Sequence, residues 1–140
     1  SMRLNGASYE EIAKAGGGIL NSTNGTQALT RNELLKICQQ RIKTIHSYGV
    51  GTIEIKSGYW LTFEKEYEIS HIIHDLKNIF RPAVQILNTF MAAHAVPKDF
   101  SRSHDYMREV VLPLLDKLGG EQVIDCVDIF HDLKYLNNQQ

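Results

Sequence analysis

Apolar residues recur at helical spacing in three stretches of the chain, and each stretch is followed by a short run suited to a β-strand. Behind Thr30-Arg31-Asn32-Glu33 the residues Leu34, Leu35, Ile37, Cys38, Ile42 and Ile45 mark one face of a helix that runs to Tyr48. The leading tetrapeptide is a capping box: the threonine hydroxyl accepts the amide three residues on, and the glutamate reaches back. Gly49 and Gly51 stop this helix, and the β-branched run Thr52-Ile53-Glu54-Ile55-Lys56 reads as a strand. The unit then repeats. Thr62 caps a helix to about Phe80, with Phe63, Tyr67, Ile72, Ile73, Leu76 and Ile79 as its buried stripe, Arg81-Pro82 breaks it, and Ala83 to Phe90 follows as a strand. A third helix, about Asp105 to Leu118, places Tyr106, Val110, Val111, Leu114, Leu115 and Leu118 on one side, with Pro113 as a kink. Gly119-Gly120 closes it, and Val123 to Phe130 is the expected third strand.

Upstream, Ser8-Tyr9-Glu10-Glu11 is another capping box, whose short helix should end at Gly16-Gly17-Gly18. The polar run from Asn21 to Gln27 competes with the backbone for hydrogen bonds and reads as a loop that is exposed or binds something. Helices alternating with strands through short loops imply parallel strands with right-handed crossovers, the repeating unit of a (β/α) barrel or a doubly wound sheet. No linker or low-complexity segment interrupts the chain. The expectation is therefore one α/β domain over residues 3–140, after a Ser1-Met2 tag remnant.

Composition leaves this picture intact and narrows the partners. With 15 Lys+Arg against 16 Asp+Glu the formal net charge is -1, and no basic stripe is present to follow phosphates, so nucleic acid is not an expected partner. No apolar run approaches the roughly 18–20 residues of a membrane helix, and the N-terminus has no secretory signature; the reading is a cytoplasmic protein without membrane contact. Cys38 and Cys126 lie far apart within apolar stretches, the pattern of buried reduced thiols.

In a parallel sheet, chemistry gathers in the loops after the carboxyl ends of the strands. The first such loop is Lys56-Ser57-Gly58-Tyr59-Trp60, where Gly58 permits a tight turn and Tyr59 offers a hydroxyl. The second, Ala92-Ala93-His94-Ala95-Val96-Pro97, surrounds an imidazole with small residues; the third begins at His131-Asp132. Each has a plainer reading. A single histidine beside a strand is often a hydrogen-bonded structural residue, and two aromatics can simply cap a core. His71 and His74, three apart on a helix beside Asp75, invite a metal but lack a further ligand. Glu64 and Glu66 read as first-turn acids that suit a helix dipole. The phosphate-binding, dinucleotide-binding, nucleophile-elbow and zinc-helix motifs are all absent.

Arg3-Leu4-Asn5-Gly6-Ala7-Ser8-Tyr9, Glu11 to Ile19, Glu54-Ile55-Lys56-Ser57-Gly58-Tyr59 and Ala93-His94-Ala95-Val96-Pro97 together resemble the imidazolonepropionases of histidine degradation, members of the amidohydrolase superfamily. The resemblance runs from Arg3 to about Phe130 and corresponds to the middle of that family's barrel. It implies a partial (β/α) barrel of about three parallel strands alternating with helices. The implied activity is metal-dependent hydrolysis of a cyclic amide, imidazolone-5-propanoate to N-formimino-glutamate, in which zinc or iron activates water. Tyr59 and His94 match the family's substrate-contacting tyrosine and histidine. Its metal ligands lie on strands before and after the matched region, so the resemblance implies no catalytic or metal-binding residue here and a fragment without activity of its own. Trp60 stands where the family usually has glycine, and its bulk is expected to crowd the pocket beside Tyr59.

A non-catalytic binding or assembly module that reuses a partial barrel is the alternative reading. Three parallel strands leave two unpaired edges and apolar helix faces, which association into a homo-oligomer would cover.

Overall fold

The computed structural model describes residues 6, 25, 26, 28–97 and 99–129. The expected Ser8 helix, most of the 21–27 loop, His131-Asp132 and the end of the expected third strand lie outside the described residues.

Helix α1 spans Arg31–Ser47, and its capping box forms as read: Thr30 accepts from the Glu33 amide while the Glu33 carboxylate accepts from the Thr30 N–H. Gly49, at φ +88, turns the chain out of the helix. Strand β1 is Thr52–Lys56. Helix α2, Phe63–Phe80, starts at Thr62, whose hydroxyl accepts from the Lys65 amide. Strand β2 is Gln85–Phe90, two residues shorter at its start than expected because residues 81–83 are spent turning the chain out of α2.

The third helix is longer than expected and built of three pieces: α3 Ser103–Tyr106, a π-helical segment Met107–Val111, and α4 Leu112–Gly120. Pro113 explains the middle piece. It has no N–H to give the carbonyl four residues back, and its ring pushes that carbonyl aside, so the wider π turn before it absorbs the fault that was expected as a kink.

Strand β3 is only Cys126–Val127, against an expected run from Val123 to Phe130. Side chains interrupt the ladder on its upstream side, where the Asp125 N–H still donates to a β2 carbonyl, that of Asn88, at 2.8 Å. The Asn88 N–H of β2 is given to the Asp125 carboxylate at 2.8 Å, and the Asn88 side-chain amide takes the Val123 carbonyl at 2.9 Å. With those groups spent, regular pairing begins at Thr89↔Cys126.

The strands are parallel, in the order β1-β2-β3, and the result is an open α/β sheet alternating with helices. The register sets Ile53 beside Ile86 and Ile55 beside Asn88 on the face that meets the helices. Leu34 and Ile42 of α1 pack with Trp60, Ile72, Ile73, Leu76 and Ile86 on this side, and Phe90 joins Tyr106, Val111, Leu114 and Leu118 in a second cluster. Each such side chain contributes about 1.5–3 kcal/mol by leaving water. The opposite face is polar at one end, where Thr89 donates to Glu54 at 2.8 Å and Lys56 pairs with Asp128 at 2.6 Å.

The two thiols differ from expectation. Cys126 is exposed, because it lies on an edge strand of the described sheet, and Cys38 is half-buried, with burial pushing its thiol pKa up against the opposing pull of Arg41. Among the described residues no helix is long and apolar enough to cross a membrane.

Candidate functional site

Two loops at the carboxyl ends of β1 and β2 meet. In the first, Gly58 adopts φ +106 and Leu61 φ +58, so the chain turns twice within five residues of the strand end. The second approaches so closely that a Cβ at Gly58 would stand 2.3 Å from the Met91 carbonyl oxygen and 2.9 Å from His94 Nδ1. Only glycine fits there, for space as well as for φ. Ser57 joins the loops: its N–H donates to the Thr89 carbonyl at 3.0 Å, and its hydroxyl accepts from the Met91 N–H at 3.3 Å.

This junction brings the two expected site residues together. The Tyr59 and His94 rings lie 5.4 Å apart between centroids, tilted by 58°. His94 is buried, at 3% exposure, between the equally buried Ala93 and Ala95. Its Nδ1 lies 3.0 Å from the Met91 carbonyl, which can only accept, so Nδ1 carries the proton and Nε2 presents a lone pair. That Nε2 is buried and has no hydrogen-bond partner among the described residues. Burial lowers the His94 pKa below the ordinary histidine value, with the Met91 carbonyl and the charge of Glu66 pulling the other way. The ring is thus a neutral acceptor at pH 7.

The organiser of the first loop is a residue whose burial the sequence did not reveal. Glu66 is the first-turn acid expected, but it is fully buried, and its carboxylate accepts the backbone N–H groups of Gly58 at 2.7 Å, Trp60 at 2.6 Å and Leu61 at 3.0 Å. A signal was available: Phe63, Glu66, Ser70 and Ile73 share one helical face, and a charge on a buried stripe needs partners. Asn88 was missed in the same way. It is buried in β2 and ties Ser70 of α2 to Val123 through its side-chain amide, at 2.9 Å to each carbonyl.

Trp60, expected to crowd the pocket beside Tyr59, does share a pocket with it. It is buried at 2% exposure in the cluster between α1 and α2, where it and Tyr59 help line a cavity of about 150 Å³ with Leu34, Cys38, Ile69 and Leu76. The helix pair His71 and His74 is not drawn toward a common ion: His71 meets Glu121 at 3.1 Å, and Asp75 pairs with Arg31 at 2.6 Å. Among the described residues no three His, Cys, Asp or Glu side chains are grouped to hold a metal ion.

Comparison with known proteins bears out the family resemblance read in the sequence. The chain is 45% identical over 130 residues to an imidazolonepropionase of Rhizobium rhizogenes and 48% identical over 130 residues to one of Agrobacterium fabrum, covering 92% of this chain in each case. The chain resembles part of an imidazolonepropionase. An imidazolonepropionase of Shewanella halifaxensis is 37% identical over 140 residues, 99% of this chain. These alignments take in 31%, 30% and 34% of the respective relatives, so the chain spans about a third of the length of the curated imidazolonepropionases it matches. No family model matches the chain.

Proposed function

We propose that the chain carries the substrate-contacting wall of an imidazolonepropionase-type site, in which Tyr59 and His94 hold imidazolone-5-propanoate for opening of its cyclic amide to N-formimino-glutamate. The observation that carries this reading is the buried, unpartnered Nε2 of His94, set beside Tyr59 where two strand-end loops meet. An imidazolone ring offers what such a pair asks for. A ring N–H can donate to Nε2, and the ring carbonyl can accept from the tyrosine hydroxyl. The likeness to relatives named imidazolonepropionase supports the choice of ligand.

The test is binding of the stable analogue imidazole-4-propanoate, followed by the His94 and Tyr59 ring resonances, together with loss of imidazolone-5-propanoate absorbance. Saturable shifts are expected, with affinity about tenfold lower in Tyr59→Phe and His94→Ala, as the loss of one neutral hydrogen bond implies. Unmoved ring signals at millimolar analogue would refute the reading.

A second reading, a homo-oligomeric assembly module, is supported by the exposure of Ile79, Leu112, Val127 and Ile129 and by the positions of β1 and β3 at the sheet edges. Sedimentation velocity decides it: a monomer at high concentration would exclude it.

A further inference from the structure

We propose that Glu66 is the positioning residue that holds Tyr59 against His94, an inference that rests on the reading of those two residues as a ligand-binding pair. The carboxylate grips the loop on both sides of Tyr59. Its Oε2 accepts from Gly58, immediately before the tyrosine, and its Oε1 accepts from Trp60 and Leu61, the two residues after it. Two of these three amides belong to residues with positive φ, and at Leu61 that conformation is one L side chains rarely adopt. Such a backbone persists only when its surroundings over-determine it, and a buried carboxylate with three N–H donors does so.

The grip is itself fixed. Glu66 sits in the first turns of α2, its N–H bonded to the Thr62 carbonyl at 2.9 Å, and it is fully buried. On the other side of the pair, His94 is held by Met91, whose N–H is bound in turn by Ser57 of the same loop. The tyrosine and the histidine are thus referenced to each other through one short set of hydrogen bonds. In water a carboxylate gains as much from solvent; here water is excluded, and releasing any of the three amides would leave a buried donor without a partner.

The experiment uses the full chain and Glu66→Gln. Glutamine keeps one acceptor oxygen for Trp60 and Leu61, but its amide nitrogen cannot accept from Gly58. The variant is expected to fold, with Gly58 exchanging its amide proton at least about tenfold faster, a weakened nuclear Overhauser contact between the Tyr59 and His94 rings, and affinity for imidazole-4-propanoate about 5- to 10-fold lower. A variant that melts earlier yet keeps the ring contact and the analogue affinity of its folded fraction overturns the proposal, because Glu66 would then only stabilise the fold. Should the variant not fold, the native chain decides: Gly58, Trp60 and Leu61 amides protected by at least about 100-fold over an unstructured peptide support the clamp, and free exchange overturns it. Loss of the ring contact in Glu66→Gln, in a native chain that does not bind the analogue, upholds the positioning role and refutes the ligand reading.

Discussion

Replacing Gly58 by alanine tests the closeness of the two loops directly. A Cβ at this position meets the Met91 carbonyl oxygen at 2.3 Å, its carbon at 2.8 Å and His94 Nδ1 at 2.9 Å, on a backbone at φ +106. The backbone penalty alone is about 1–2 kcal/mol. Overpacking adds about 1–3 kcal/mol, because the Met91 carbonyl cannot retreat without giving up its bond to His94. The expected loss is therefore about 2–5 kcal/mol, a large share of the 5–15 kcal/mol typical of a domain. Gly49→Ala is the matched control: its φ is +88, but nothing lies within 4 Å of the added carbon, so only the backbone penalty applies. Urea unfolding of both variants separates the terms. Equal losses for the two would refute the reasoning, since the steric part would then be absent and the loops would not touch as described.

Three further outcomes follow from the packing and the titrating groups. Asn88→Ala should lose about 1–3 kcal/mol in urea unfolding, because it removes a hydrogen bond from each of the buried carbonyls of Ser70 and Val123, while removal of the unpartnered Asn88 Oδ1 offsets part of that cost. The lowered His94 pKa means that the unfolded chain binds the extra proton first, so His94 favours folding fully above its ordinary value of 6.5, and that contribution is lost as pH falls toward the depressed folded value. Urea midpoints at pH 7.5 and pH 5.5 should show this fall in the native chain and a smaller one in His94→Ala. Maleimide labelling followed by mass spectrometry should modify the exposed Cys126 at least about tenfold faster than Cys38, whose thiol is half-buried with a raised pKa; equal rates would contradict their placement.

Where sequence and structure agree, the information was local. The Thr30 and Thr62 caps, the Gly49 stop and the periods of α1, β1 and α2 each depend on residues a few positions apart, and propensity with periodicity captures such effects. The candidate pair was legible only as two residue types at two strand ends. Their separation of 5.4 Å between ring centroids depends on Gly58, Ser57 and Met91 bringing the loops together.

The sequence by itself determined the order of helices and strands, the parallel α/β class and the residues worth watching, because turn chemistry and hydrophobic period act within one element. Tertiary structure alone decided that Glu66 turns inward to bind three amides, that Asn88 and Asp125 meet at the upstream end of β3, that Trp60 goes into the core, and that Cys126 faces solvent. Each of those outcomes is a competition for a hydrogen bond or a buried place between segments distant in the chain, and neither segment's sequence alone names the winner.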